Sequence, residues 1–482
     1  MRKIIVCGVA AALLTGGLPA LASCAEKGEN SEYTITAEYF PEERKLSARM
    51  SFTYYNDTEN VLDALKFELY PNAYREGAKY RPISSLYETS AYYKGKSYGE
   101  IEIASVEGGA SYEVTGEDEN ILSVALSAPV YPEERVQLHM SFTTTLAEVN
   151  HRLGVGEHAV NLANFYPVLC AYGENGFLEY VYSSNGDPFV TDCADYDVTL
   201  TVPQSYTVVY GGEGKKVTEN EKNTYHVMSE NARDCAFVLG ENFNVATGAA
   251  GNIQIEYYYL GDQVPEAGLR AATESIAFYG RTFGKYAYSS YALVQTDLCA
   301  GGMEYPALSM IACDLREEEV PRVVAHETAH QWWYAMVGSN QFEHAWQDEG
   351  LADYSAALFL EAYPSYGYRR DDLVAQAESS YRAFFSVWSQ LHGEGDTTMN
   401  RPLSAFSGEY EYGNIAYHKG VILFDRLRAC VGDRKFYGGL KEYSEKYRFR
   451  EAEPQDLIAC FHKMGADVEG FFDSFLNGKC VI

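Results

Sequence analysis

The first half of the chain alternates between apolar and polar residues. From about Tyr33 to Val245, apolar side chains often recur at every second position, and turns rich in Gly, Asn, Asp and Pro separate the runs. A period of two places one face of a strand against a core and the other toward solvent. The pattern predicts an antiparallel all-β domain over residues 33–246. Its clearest runs are Ile35, Ala37 and Tyr39; Leu46, Ala48, Met50, Phe52 and Tyr54; Val136, Leu138, Met140 and Phe142; and Val198, Leu200 and Val202.

The pattern changes after a stretch of small residues, Ala-Thr-Gly-Ala-Ala-Gly at 246–251. This stretch carries no periodicity and is predicted to separate two domains. Beyond it, residues 253–260 and 291–296 are predicted as strands and 265–283 as a helix. The helical period then dominates, with helices predicted at 317–337, 348–363, 366–388, 414–430 and 453–464. We therefore expect an α+β multidomain protein whose mostly helical second domain, residues 252–482, holds the chemistry.

The amino terminus has the features of an export signal. A positive segment, Met1-Arg2-Lys3, precedes an apolar run, and the sequence Leu21-Ala22-Ser23-Cys24 resembles the bacterial lipobox. We predict a signal peptide over residues 1–23, lipidation of Cys24 and a polar tether over 24–32, which would hold the protein on the extracytoplasmic face of a membrane. An uncleaved membrane helix over 4–22 and an ordinary secretory signal are the alternatives, although the Gly and Pro residues of the segment weigh against the helix.

The charge and the cysteine content exclude some classes of partner and of metal site. The 482 residues include 38 Lys and Arg against 68 Asp and Glu, a net charge of −30, which argues against a nucleic-acid partner. Eight cysteines follow Cys24 without any CxxC pair, so neither a thiolate zinc site nor a disulfide framework is indicated. Free thiols are expected, with one or two disulfides as the alternative. The 41 tyrosines, many at alternating positions, agree with extended, half-buried surfaces.

The strongest chemical signal is His326-Glu327-Thr328-Ala329-His330. Residues four apart share one face of a helix, so both imidazoles can bind one metal ion. Glu327 lies about 100° round the helix, beside the ion, where a general base belongs.

A third ligand follows 18 residues later. Glu349, within Trp346-Gln347-Asp348-Glu349-Gly350, completes a site of two histidines and one carboxylate with a fourth position open to water. This donor set predicts one Zn²⁺ ion, with cobalt or manganese as possible substitutes. Asp353 is four residues beyond Glu349 and is a candidate acceptor for a hydrogen bond from a ligand imidazole, against the alternative of a plain surface Asp.

Two more segments make the pattern resemble a known family. Gly301-Gly302-Met303-Glu304-Tyr305 precedes the histidines, and Tyr417 follows them in Ala416-Tyr417-His418-Lys419-Gly420. Together with the HExxH motif and the Glu that follows it after 18 residues, these segments occur in an order similar to that in the zinc aminopeptidases related to aminopeptidase N and leukotriene hydrolase. The resemblance implies a thermolysin-like zinc domain behind the β domain. It further implies that residues 301–304 form an edge strand binding the substrate backbone, that Glu304 binds the substrate ammonium, and that Tyr417 donates to the oxyanion; Tyr412 is a weaker second candidate.

The function implied by the resemblance is removal of N-terminal residues from peptides. A thermolysin-like endopeptidase and a surface lipoprotein that binds peptides without cleaving them are the alternatives. Tyr305 stands where the family usually has Asn, and Gly302 where it often has Ala, which affects substrate preference more than the amine-binding Glu304. Because larger relatives carry further domains over the site, we expect more open access here. The sequence predicts no particular oligomeric state.

Overall fold

The computed structural model describes residues 30–260, 265–393 and 396–478. The predicted signal peptide, Cys24, most of the tether and Cys480 lie outside these residues. The described chain forms a β domain and then a domain with a five-stranded sheet, a short two-stranded sheet (Val337–Gly338 with Arg450–Glu451) and many helices, and each domain has its own hydrophobic core. Among the helices of the described part, none has the length and apolar character needed to cross a membrane.

Three larger sheets and a two-stranded hairpin, Tyr172–Gly173 with Gly176–Phe177, build the first domain. The predicted alternation is observed: the apolar side chains of strands Ser31–Phe40 and Lys45–Tyr55 point into the core, and Phe52 is fully buried. Most neighbouring strands are antiparallel, as expected, but Ser31–Phe40 pairs in parallel with Ala194–Pro203. In spatial order the largest sheet contains Glu213–Glu219, Lys222–Ala232, Ala194–Pro203, Ser31–Phe40, Lys45–Tyr55, Arg135–Thr145 and Glu100–Glu107. The second contains Val168–Leu169, Leu62–Glu68, Ile121–Val130 and Gly109–Thr115, and the third Thr207–Tyr210, Ala236–Gly240, Ala159–Ala163 and Leu153–Val155.

The second domain opens with a five-stranded sheet. In spatial order its strands are Asn244–Ala250, Ile253–Tyr259, Ser290–Thr296, Leu308–Ala312 and Gly302–Tyr305. The last of these, the edge strand, has one free side among the described residues. The helices are Glu266–Thr282, Val320–Ala329, Ala345–Ala362, Arg370–His392, Lys419–Val431, Asp433–Lys446, Pro454–Lys463 and Glu469–Leu476, with a short helix Glu409–Tyr412 and a π-helical turn Gly413–His418.

Two sequence predictions fail locally, each for a packing reason. Residues 246–250 form part of strand Asn244–Ala250 instead of a linker, and their small side chains let a helix lie close on the sheet; a Cβ on Gly248 would be 3.3 Å from Leu269 Cδ1. The helix predicted over 317–337 is confined to Val320–Ala329. The apolar pattern continues beyond it because Trp332 and Trp333 enter the core from an irregular turn.

Arg233 joins the two domains. Its buried guanidinium donates hydrogen bonds of 2.7 Å to the carbonyl oxygens of Thr191 in the first domain and of Tyr334 and Arg450 in the second. Gly338 permits this approach, because a Cβ there would lie 2.1 Å from Arg233 Cζ. Three hydrogen bonds from one charged group, each stronger than a neutral one, thus contribute to the relative position of the domains.

Candidate metal centre

Two histidines project from the end of one helix. The metal helix, Val320–Ala329, begins with Val320 and Pro321, and Pro is tolerated there because first-turn N–H groups have no partner within a helix. His326 lies in its last turn and His330 caps it, so the rings lie on one face with their Nε2 atoms 3.1 Å apart. Two acceptor nitrogens at this distance are arranged to share a cation.

Glu349 completes the group from the neighbouring carboxylate helix, Ala345–Ala362. Its Oε2 lies 3.3 Å from His326 Nε2 and 3.4 Å from His330 Nε2, and no protein donor bonds to it. Ligand atoms around a tetrahedral Zn²⁺ with bonds of about 2.0–2.1 Å are about 3.3–3.4 Å apart. The three residues therefore fit a zinc ion by donor type and by spacing.

The electrostatics of these residues also favour a cation. Burial would raise the pKa of the Glu349 carboxyl, but the two imidazoles lower it well below its usual range. The carboxylate is consequently charged at neutral pH. A buried anion whose Oε2 lacks a hydrogen-bond donor is costly unless a cation neutralises it.

Each histidine has a carboxylate behind it, at unequal distances. Asp348 Oδ1 lies 2.7 Å from His330 Nδ1, and Asp353 Oδ1 lies 3.5 Å from His326 Nδ1. Asp353 is also 3.3 Å from the Arg322 guanidinium. The sequence prediction named Asp353 and missed Asp348, which makes the shorter contact. Asp348 and the Trp333 carbonyl oxygen, 2.9 Å from His330 Nδ1, together determine that Nε2 faces the site. Its only sequence signal was its position beside Glu349.

Glu327 lies beside the three ligand residues, on the face of the metal helix next to the one that carries the histidines. It is 5% exposed, and its Oε2 has no protein partner. Burial raises its pKa to about 7, where a general base works best at neutral pH. Gly302 on the edge strand leaves room for it, because a Cβ at that position would be 2.3 Å from Glu327 Oε1.

The edge strand carries Glu304 into the same cavity. This strand pairs with Leu308–Ala312 through Met303 opposite Met310 and Glu304 opposite Ser309. Glu304 is 4% exposed, and its Oε1 lacks a donor. Burial raises its pKa well above the usual range, and the nearby Asp187 and Glu327 act in the same direction. The neutral, protonated form of Glu304 is therefore favoured while the site is empty, and a bound cation would favour the charged carboxylate.

Tyr417 lies on the π-helical turn Gly413–His418 and faces the ligands. Its hydroxyl donates a 2.5 Å hydrogen bond to Glu349 Oε1, and its ring stacks on His326 at 5.9 Å between centroids. Tyr412 contacts the Tyr417 ring edge-on and is itself buried. Of the two tyrosines, Tyr417 is the one with its hydroxyl bonded to a ligand carboxylate.

The sequence of this region matches one family. Residues 268–475 match the peptidase family M1 domain. The part of the chain that holds the metal ligands is therefore similar to the peptidase family M1 domain. Aminopeptidase N of Haemonchus contortus is 28% identical over 192 residues, 36% of this chain and 19% of that protein. Endoplasmic reticulum aminopeptidase 2 of Homo sapiens is 24% identical over 247 residues, 46% of this chain and 24% of that protein. These alignments thus span less than a third of each relative.

The M1 fold extends over both domains. The crystal structure of an M1 zinc metallopeptidase from Deinococcus radiodurans superposes with a TM-score of 0.63 at 20% identity, covering 94% of each chain. This likeness confirms the predicted architecture of a β domain followed by a mostly helical domain. The family that the motifs predicted is confirmed as well.

The first domain contributes walls to the M1 site that the sequence did not indicate. The cavity is narrow, about 100 Å³. Arg152 and Asp187, an ion pair, line it together with Ile83 and Tyr87 from an irregular segment of the β domain, and Glu409 lines the helical side. No spacing rule links these residues to the metal ligands, since they come from distant parts of the chain.

Proposed function

We propose that the protein is an exported, lipid-anchored zinc aminopeptidase that removes N-terminal residues from peptides. The match of residues 268–475 to the peptidase family M1 domain and the donor set of His326, His330 and Glu349 support zinc-dependent hydrolysis. The relatives' names support aminopeptidase activity, and the Deinococcus radiodurans metallopeptidase has been crystallised with a Tyr-Ser-Ala substrate.

Each side chain of the site has a task in this reaction. A zinc ion held by the three ligands supplies Lewis acidity and acidifies water. Glu327 accepts the proton of the attacking water and passes it to the leaving amine. Tyr417 donates its O–H to the oxyanion that develops from the scissile carbonyl. The free side of the edge strand offers backbone groups to the peptide, which aligns the first peptide bond with these residues.

The observation that carries the proposal is the unpaired carboxylate of Glu304. It is 4% exposed, lies in the same cavity as Glu327 and lacks a donor at Oε1. A peptide's α-ammonium is a cation of the right size to pair with it, and such a charge-assisted contact requires a free amino terminus. An endopeptidase would have no use for a buried anion at this position.

A panel of free and N-acetylated aminoacyl p-nitroanilides tests the proposal. Wild type should cleave the free substrates only, and Glu327→Gln should be inactive with metal content unchanged. Glu304→Ala should raise KM strongly, whereas the matched Glu304→Asp retains the charge and should keep part of the activity. Equal cleavage of acetylated substrates would support the endopeptidase alternative. Bound zinc with no cleavage of any substrate would support a peptide-binding protein.

The proposed anchor is tested at Cys24. Expressed in a bacterial host, the wild type should partition with membranes and incorporate labelled fatty acid, and Cys24→Ala should do neither. A Cys24→Ala variant that stays in the membrane fraction without label would indicate an uncleaved helix instead.

A further inference from the structure

A second group of metal-binding side chains lies outside the M1 site, where the two domains meet. This group, the Cys313 cluster, consists of His158 from the first domain and Asp297 and Cys313 from the second. One possible ligand atom from each lies within 4.8 Å of the other two. Asp297 Oδ1 is 2.8 Å from His158 Nδ1 and 3.5 Å from Cys313 Sγ.

The carboxylate at the centre of the cluster is held in place. Asp297 is 4% exposed, and its Oδ2 accepts the backbone N–H groups of His158 at 2.6 Å and Ala159 at 3.0 Å. Gly156 permits this, because a Cβ there would lie 2.5 Å from that oxygen. With Oδ2 fixed by the backbone, Oδ1 is oriented toward the imidazole and the thiol.

The donor types and spacing suit a tetrahedral transition-metal ion. Bonds of about 2.0–2.3 Å to nitrogen, oxygen and sulfur place ligand atoms about 3.3–3.8 Å apart, so small side-chain shifts would complete the geometry. The His158 side chain is 54% exposed and Cys313 is partly exposed, which leaves an entry path and a position for water. We propose that His158, Asp297 and Cys313 form a second metal site that binds Zn²⁺ or Co²⁺.

Binding at this site has a defined proton balance. Cys313 binds as the thiolate and releases its proton to solvent. The neutral His158 imidazole moves its single N–H hydrogen from Nδ1 to Nε2 by exchange with solvent, which frees Nδ1 for the ion, so that binding releases one proton in all, from Cys313. The ion replaces the hydrogen bonds within the cluster, so no oxidant or reductant is needed.

The position of the cluster gives the ion a structural effect. Asp297 follows strand Ser290–Thr296 and Cys313 follows its parallel neighbour Leu308–Ala312. The chain between them passes through the edge strand that carries Glu304. An ion would therefore tie both strand ends to the first domain, and binding to the folded state alone would stabilise the protein. This site does not depend on the proposed function.

Cobalt spectroscopy distinguishes the two sites. The M1 site has no sulfur ligand, so a near-ultraviolet thiolate-to-cobalt charge-transfer band can come only from a cysteine site. Co²⁺ added to the reduced, metal-free protein should produce this band by two equivalents, when both sites are filled, and excess Zn²⁺ should remove it. Cys313→Ser should lose the band, and His158→Ala should require a much higher Co²⁺ concentration.

Cys430→Ser is the matched control, because Cys430 is an exposed free thiol away from the cluster. It should keep the band in full. Metal analysis after dialysis against dilute zinc should give two ions per chain for wild type and Cys430→Ser, and one for Cys313→Ser. Absence of the band in wild type, or its persistence in Cys313→Ser, would overturn the proposal. Because His158 is exposed, His158→Ala provides the test even if Cys313→Ser folds poorly.

Discussion

Replacing Asp348 with Ala should weaken zinc binding while leaving all three ligands in place. Asp348 is 2% exposed, and its Oδ1 lies 2.7 Å from His330 Nδ1. Together with the Trp333 carbonyl oxygen, 2.9 Å from the same nitrogen, this contact places the hydrogen on Nδ1 and orients Nε2 toward Glu349. Loss of such a partner costs about 10–100-fold in metal affinity, or about 1.4–2.7 kcal/mol. The effect should appear as a higher dissociation constant for zinc, with one ion still bound at saturation.

Competition with a chromogenic chelator measures this constant directly, in a Cys313→Ser background so that only the M1 site contributes. Asp348→Asn keeps an acceptor oxygen and should lose less affinity than Asp348→Ala. Asp353→Asn is the contrasting control, since the contact of Asp353 with His326 is 3.5 Å and it also pairs with Arg322. Circular dichroism establishes that each variant is folded. A dissociation constant for Asp348→Ala within twofold of wild type, or a larger loss in Asp353→Asn, would refute the reasoning.

Three further outcomes are expected. Tyr417→Phe should lower kcat by about 10²–10³-fold with little change in KM or zinc content; in steady-state assays, an unchanged kcat would exclude its oxyanion role. Arg233→Met removes the donor from two buried carbonyl oxygens, those of Thr191 and Tyr334, and from the part-buried one of Arg450, and should lower the free energy of unfolding by about 3–5 kcal/mol in urea titrations; a loss below about 1 kcal/mol would show that the domains do not depend on it. Burial raises the pKa of Asp234 from 3.8 to about 7. Between about pH 4 and 7 the carboxyl is therefore ionised in the unfolded chain but protonated in the folded one, so the contribution of Asp234 to stability falls as the pH rises. Asp234→Asn should reduce this slope in unfolding titrations at pH 5 and 8, and an identical slope would contradict the assignment.

The metal ligands could be predicted because their positions follow from local geometry. A spacing of four on one helix brings His326 and His330 together whatever surrounds them. To predict Glu349 as the third ligand, it was enough to assume that a second helix packs on the first. Asp348, one residue earlier, points about 100° away on the same helix. Whether Asp348 or Asp353 reaches an imidazole depends on how the two helices are rotated against each other, which the sequence pattern does not contain.

The residues around the cavity could not be predicted for a different reason. Arg152 and Asp187 reach the site through the docking of the first domain, and their ion pair spans two loops without periodicity. The stretch 246–250 was predicted to separate the domains but lies in a strand, because small residues are typical both of a linker and of a strand under a closely packed helix. Only the contact with helix Glu266–Thr282 decides between these two.

The Lys-Gly pair after Tyr417 shows how a functional motif can contain residues with purely structural roles. Lys419 is fully buried, and its Nζ donates to the carbonyl oxygens of Thr397 and Phe475. A Cβ on Gly420 would lie 2.7 Å from the Cα of Gly350, next to Glu349 on the carboxylate helix. The lysine thus anchors the segment and the glycine lets it approach the metal ligands. A π-helical turn adds a residue to the helix, as is common at functional sites, and here it carries the Tyr417 hydroxyl to within 2.5 Å of Glu349. The Tyr-x-Lys-Gly motif thus distinguishes Tyr417 from the other tyrosines, because its Lys and Gly bring the segment that carries the Tyr417 hydroxyl close to the metal ligands.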